Sequence, residues 1–185
     1  MRAFVALNLP DATRRALWSA TEPLRRRDWP VTWVKPDGIH LTLKFLGDAD
    51  DDRAAELGAA VGRAAAGTHP LPLALRGFGA FPDVSRPRVL WVGVEGEPPL
   101  ELLQHALERE LEPLGFPTEA RPFRPHVPLG RAKKDARPAE FNGLEPALDA
   151  LEFDETVVIE SVDLMSSQLS PKGATYEVKH AERLA

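Results

Sequence analysis

The chain has no cysteine among its 185 residues. Disulfide cross-links and thiolate metal sites are therefore excluded, and the composition is compatible with a reducing compartment. Positive charge is also short: the formal net charge is −5. Proteins that coat long nucleic acids by neutralising phosphates are usually basic, so extended duplex binding is not expected. A small phosphorylated ligand or an RNA end stays compatible with this charge. No apolar run is long enough to cross a bilayer, and the opening "MRAFVALNLPDATRR" is interrupted at Asn8 and Pro10, too early for a signal peptide. A cytoplasmic protein without membrane attachment is the expectation.

Several catalytic signatures are missing as well. There is no GxSxG, SxxK or HExxH, and no GKS or GKT to close a phosphate-binding loop. The "GFG" of Gly77–Gly79 is no dinucleotide fingerprint, because Pro82 stands where the third glycine belongs. "DADDDR" from Asp48 begins like a calcium loop, but Arg53 and Ala59 occupy the places of the required Gly and Glu. Acids at a helix N-terminus account for it better.

What is present fits an ordinary globular chain, with 43% hydrophobic and 28% charged residues. That length buries one substantial core or two small lobes packed together. "RAFVALNL" reads as a strand, followed by a helix from Asp11 to the "LRRR" around Arg25–Arg27, whose cations suit a helix C-terminus. "VTWV" and "GIHLTLKFLG" read as strands, "DDDRAAELGAAVGRAAA" as a helix, and "LPLALRGFGAFP" with "PRVLWVGVE" as a hairpin turning through Asp83–Ser85. Leu100, Leu103, Leu107, Leu111 and Leu114 recur at helical spacing, with Gly115 just beyond. "RPHVPLGR" is a strand, a helix is expected near Pro138–Leu151, and "TVVIESVDLMSSQLS" and "ATYEVKHAERL" close the chain as two strands around Pro171–Gly173. Alternation with frequent hairpins predicts an α+β fold of mostly antiparallel sheets flanked by helices. No Gly/Ser linker divides the chain, so residues 1–185 are expected to form a single domain built from two similar halves. A monomer is expected.

Two phrases stand out, "IHLTLKFLG" and "PHVPLGRA", whose histidines His40 and His126 are 86 residues apart. Each reads His, aliphatic, x, Leu, with Thr42 in the first and Pro128 in the second. Successive side chains on a strand point to opposite faces. Ile39, Leu41, Leu43 and Phe45 are then expected on an apolar face, with His40, Thr42 and Lys44 on the open one. Phe123, Pro125, Val127 and Leu129 likewise oppose His126 and Pro128. Two histidines on open faces are suited to displacement at a phosphodiester, one as base and one as acid, since imidazole titrates near neutral pH. A neighbouring hydroxyl and a cation, Thr42 and Arg131, would hold the phosphate. Arg131 is out of phase with His126 and needs a bend at Gly130 or its own length to reach the site. His69, His105 and His180 have no such context and are expected at the surface. Trp33, Phe81 and Tyr176 are assigned to packing rather than to stacking on a base. The stretch from Arg121 to Arg137 carries six cations and one acid, a local +5 that leaves −10 for the remainder. It surrounds the second phrase and would draw in an anion.

These paired phrases resemble the signature of the 2H phosphoesterase superfamily, and most closely its RNA 2′,3′-cyclic phosphodiesterase branch, also called 2′-5′ RNA ligase. The similarity extends over nearly the whole chain, through "RAFVALNLP", "GFGAFPDVSRPRVLWVGV" and "LMSSQLSPKGATYEV". It implies a bilobal, pseudo-symmetric fold with a central cleft, and metal-independent, cofactor-free opening of 2′,3′-cyclic phosphates at RNA ends or in small nucleotides to 2′-phosphomonoesters. By motif position it implies catalytic roles for His40 and His126, one from each lobe, and phosphate binding by Thr42 and Arg131. We read His126 as activating water and His40 as protonating the leaving 3′ oxygen, although the near-symmetric arrangement leaves the two roles exchangeable. Pro128 departs from the pattern, which has a second hydroxyl there. The alternatives are a module that binds phosphorylated nucleotides or RNA ends without turnover, and ligation through a 2′-5′ bond, the same chemistry reversed.

Overall fold

The computed structural model describes residues 1–185. Nine strands and five α-helices follow in the order β1 (Arg2–Asn8), α1 (Asp11–Ala20), α2 (Glu22–Arg25), β2 (Val31–Trp33), β3 (His40–Asp48), α3 (Ala54–Ala65), β4 (Leu71–Phe81), β5 (Val89–Gly96), α4 (Pro98–Leu111), β6 (His126–Ala132), α5 (Leu144–Asp149), β7 (Asp154–Ile159), β8 (Ser161–Ser170) and β9 (Gly173–Arg183). The strands form two sheets, ordered β3-β1-β8-β9 and β2-β6-β5-β4-β7. Every pairing is antiparallel. The expected α+β class is what the chain adopts. No helix is long and apolar enough to cross a membrane.

Alternation in the strands explains the layering. Val5 and Leu7 of β1, Leu41 and Leu43 of β3, and Val162 and Leu164 of β8 turn to one face of the first sheet. They join Leu73 and Leu75 of β4 and Val127 and Leu129 of β6 in a single apolar core, which α3 and α4 close through Leu57, Val61, Leu103 and Leu107. A smaller core of Leu24, Trp29, Val31, Leu90, Phe141, Leu144 and Leu148 lies outside it. Phe4, Ala6 and Met165 face the other way and make a separate cluster on the open side of the first sheet.

Three predicted elements are divided. The first helix breaks at Thr21, whose hydroxyl turns back to the Leu17 carbonyl at 3.0 Å, and Pro23 restarts it in the first turn of α2. Arg25 closes α2, while Arg26 and Arg27 lie past its end. The helix expected over Pro138–Leu151 is a 3-10 turn at Pro138–Phe141 and then α5, separated by Gly143 at φ +87°. "TVVIESVDLMSSQLS" is two strands in different sheets, since the chain leaves the second sheet at Ile159 and enters the first at Ser161. The buried positions change phase across Glu160–Ser161, from Val157 and Ile159 to Val162 and Leu164. The Asp83 hairpin forms as expected, with the Asp83 carboxylate accepting from the Ser85 and Arg86 N–H groups at 2.8 and 3.0 Å.

Candidate active site

The two histidine phrases become β3 and β6, and these strands pack against each other although they belong to different sheets. Over His40–Leu46 and His126–Ala132 the burial runs identically: half-buried, buried, half-buried, buried, buried, exposed, half-buried. The two consecutive buried residues mark a β-bulge in each strand. Lys44 pairs with Val5 and Thr42 with Ala6, leaving Leu43 as the extra residue. Gly130 pairs with Leu90 and Pro128 with Trp91, leaving Leu129 extra. A bulge inserts one residue and re-aims those beyond it.

The bulges change two expectations. Arg131 falls on the same face as His126 without needing any bend at Gly130, because the extra residue restores its phase. Phe45 was expected on the apolar face and is instead 67% exposed, while Lys44 was expected on the open face and turns inward. Lys44 is 6% exposed and donates to Glu108 Oε2 at 2.7 Å and to the Pro117 carbonyl at 2.8 Å. Thr42 stays on the open face, half-buried, two residues from His40. At Pro128 one side of β6 is bare, since β2 pairs only with Gly130–Ala132, and a missing N–H is tolerated there.

His40 is boxed by aromatics. Phe4 stacks on it with centroids 5.0 Å apart and planes at 25°, and Tyr176 meets it edge-on at 5.4 Å. Burial pushes its pKa down to about 4, with the Arg131 and Arg14 charges acting the same way and the Gly38 carbonyl resisting. His40 is therefore neutral at pH 7. Arg131 belongs to β6, so its charge acts on His40 across the contact between β3 and β6. His126 is contacted edge-on by Phe81 at 4.9 Å. Its Nδ1 lies 2.7 Å from the Arg124 carbonyl, an arrangement that places a proton on Nδ1 and leaves Nε2 free for a ligand. In both cases the carbonyl two residues earlier, Gly38 or Arg124, steadies the ring. Gly38 has to be glycine, because a Cβ there would sit 2.8 Å from the Tyr176 ring.

Sequence reasoning missed the aromatic contacts and Arg14. Phe81 and Tyr176, assigned to packing, pack on the two histidines themselves. Trp33 does pack, against the smaller core. His69 and His105 are exposed as expected, whereas His180 is half-buried beside Gly58 of α3. No group of three or more His, Asp or Glu side chains is gathered anywhere in a way that suits a metal ion.

Comparison with known proteins agrees with this geometry. A family model described as the 2′-5′ RNA ligase superfamily matches residues 13–170. A Thermotoga maritima protein named RNA 2′,3′-cyclic phosphodiesterase is 32% identical over 96% of this chain and 92% of its own. A Methanothermobacter thermautotrophicus protein of the same name is 32% identical over 100% of this chain and 99% of its own. Among solved structures, a Thermus thermophilus protein superposes with a TM-score of 0.82 at 30% identity, over 100% of this chain and 98% of that one. Sequence and backbone agree, and the chain belongs to the 2′-5′ RNA ligase superfamily of 2H phosphoesterases.

Proposed function

We propose that the protein hydrolyses 2′,3′-cyclic phosphodiesters, at RNA ends or in small nucleotides, to 2′-phosphomonoesters, using His40 and His126 as the proton carriers. Relatives named RNA 2′,3′-cyclic phosphodiesterase align over nearly the whole chain and support the reaction class. The observation that carries the mechanism is the matched pair of bulged strands, which put one half-buried imidazole each beside a shared cation, Arg131.

In the reaction, water attacks phosphorus, the P–O3′ bond breaks and the 3′ oxygen leaves as a hydroxyl. The base takes the proton of water and the acid supplies the proton of the leaving group, so atoms and charge balance. His40, neutral at pH 7, can accept a proton and is taken as the base, a weak one because burial lowers its pKa. His126, protonated on both ring nitrogens, then gives its Nε2 proton to the 3′ oxygen. This differs from the assignment read from the sequence, in which His126 activates water and His40 protonates the leaving oxygen. Thr42 donates its hydroxyl to a phosphate oxygen and Arg131 balances the growing negative charge. Neither proton carrier requires a metal.

Phosphorus NMR of a 2′,3′-cyclic nucleotide in excess EDTA tests the reading, with His40→Ala and His126→Ala alongside. Conversion to the 2′-phosphomonoester, abolished in both variants, is the expected result. A cyclic phosphate that binds and stays intact, as mononucleotide and as oligonucleotide end, would leave only a binding module.

A further inference from the structure

Arg14 sits on α1, half-buried against the 3-10 turn Pro36–Gly38 that leads into His40. Its Nη1 donates one long bond, 3.4 Å, to the Asp37 carbonyl. Its Nε is buried and has no acceptor. The other arginines around α1 and α2 are occupied: Arg15 pairs with Asp11 at 2.6 Å, Arg26 with Glu22 at 3.2 Å, and Arg25 lies on the Trp18 ring while donating to Thr21 Oγ1 at 2.8 Å. Arg14 alone among them has no counter-charge and no aromatic face.

A guanidinium offers five N–H donors and does not deprotonate in proteins. Keeping such a group partly desolvated without an acceptor costs free energy, and an arriving anion removes that cost. The turn beneath Arg14 ends at Gly38, whose carbonyl steadies the His40 ring, and the Arg14 charge reaches that ring. Arg131 reaches the same ring from β6. Two cations, one from α1 and one from β6, thus act on one histidine.

We propose that Arg14 is a substrate-binding residue of this site, donating its unoccupied Nη–H groups to an oxygen of the reacting phosphate and forming a two-arginine clamp with Arg131. The proposal rests on the phosphodiesterase reading and deepens it. It also supplies an origin for the donor missing at Pro128: the first strand's surroundings contribute a hydroxyl and a guanidinium, the second strand a guanidinium alone.

The test uses 2′-AMP, the product, so that binding is measured without turnover. Calorimetry of the wild-type protein, Arg14→Gln and Arg14→Lys is combined with NMR titration of the His40 ring. Loss of a charge-assisted hydrogen bond is expected to weaken 2′-AMP by about 10- to 150-fold in Arg14→Gln, and loss of the cation is expected to raise the His40 pKa. Arg14→Lys keeps the charge and loses the fork, so the His40 pKa is expected to stay low while affinity falls part of the way. Unchanged affinity in both variants, with only a lower melting temperature, would make Arg14 a strut for the turn and overturn the clamp. If the wild type leaves cyclic phosphate intact yet Arg14→Gln weakens 2′-AMP, the clamp stands and the hydrolase reading fails.

Discussion

The two histidine strands share a backbone and differ in what they hang on it. Aligned by their burial, "HLTLKFL" and "HVPLGRA" place Thr42 opposite Pro128, Lys44 opposite Gly130, and Phe45 opposite Arg131. The bulge is common to both, so the same three positions in each strand face the cleft. Their chemistry is divided instead of duplicated: the first strand offers a hydroxyl and an aromatic ring, the second a cation. A cyclic phosphate has unlike oxygens to satisfy, an attacked side and a leaving side, and an asymmetric lining matches that better than two identical halves.

The inward position differs most. Lys44 and Glu108 form an ion pair at 2.7 Å with side chains only 4% and 6% exposed, and Glu108 also accepts the Glu119 N–H at 3.2 Å. The pair ties the bulge of β3 to α4 and to the segment that leads to His126. At Gly130 there is no room for a counterpart, since a Cβ would come within 2.6 Å of Val31 and 2.9 Å of Trp33. Breaking this contrast gives the largest expected effect on stability. Glu108→Leu strands the Lys44 ammonium in the core and is expected to cost about 3–5 kcal/mol in urea denaturation. Adding Lys44→Met should recover most of that loss, because the charge goes with its partner. A double variant no more stable than the single one would mean that the pair's hydrogen bonds to Pro117 and Glu119, rather than its charges, hold β3.

The first strand's histidine also sets how stability depends on pH. With its pKa held near 4 by burial, His40 stays neutral in the folded protein after the unfolded chain has begun to take up a proton near 6.5. Stability from this group is therefore complete above pH 6.5 and is lost as pH falls towards 4, on the order of 3 kcal/mol in all. Urea unfolding of the wild type and His40→Gln at pH 7 and pH 4.5 reads the term, and the variant should show the shallower loss. The acid limb of kcat/KM, an apparent value for the coupled pair, is expected well below 6.5. An acid limb at or above 6.5 would rule out His40 as the base.

Much of the site was legible in the residues, and the exceptions share one cause. His40, Thr42 and His126 follow from simple alternation, which holds for the first four residues of each phrase. Lys44, Phe45 and Arg131 lie past the bulge, where alternation gives the wrong face, and "LTLKFL" shows no break in its apolar pattern. Strand order hid the rest. Phe4 and Tyr176 reach His40 because β1 lies between β3 and β8 and because β9 flanks β8, and periodicity carries no information about neighbours. Arg14 was invisible for a related reason: its significance lies in the partner it lacks, and that is known only when α1 is docked on the turn before His40. The division of "TVVIESVDLMSSQLS" between two sheets is the same limitation at the level of the fold.

The smallest expected effect belongs to the position where the two phrases first diverge. Pro128 pairs with Trp91 on one side and has no strand on the other, so a threonine there can adopt the same backbone without displacing a neighbour strand. Its hydroxyl would stand where Thr42 stands on β3. If the phosphate lies between the two strands, Pro128→Thr adds one charge-assisted hydrogen bond, and binding of 2′-AMP should tighten by about 10-fold or more. If Arg14 and Arg131 already satisfy the same oxygen, the added hydroxyl has nothing left to bind, and affinity will hardly change in the wild-type background. The gain would then reappear in Arg14→Gln, where that oxygen is free. Measuring Pro128→Thr in both backgrounds thus shows whether the second strand's missing hydroxyl is a real deficit or has been offset from across the cleft. No change in either would mean that position 128 faces the cleft without touching the phosphate.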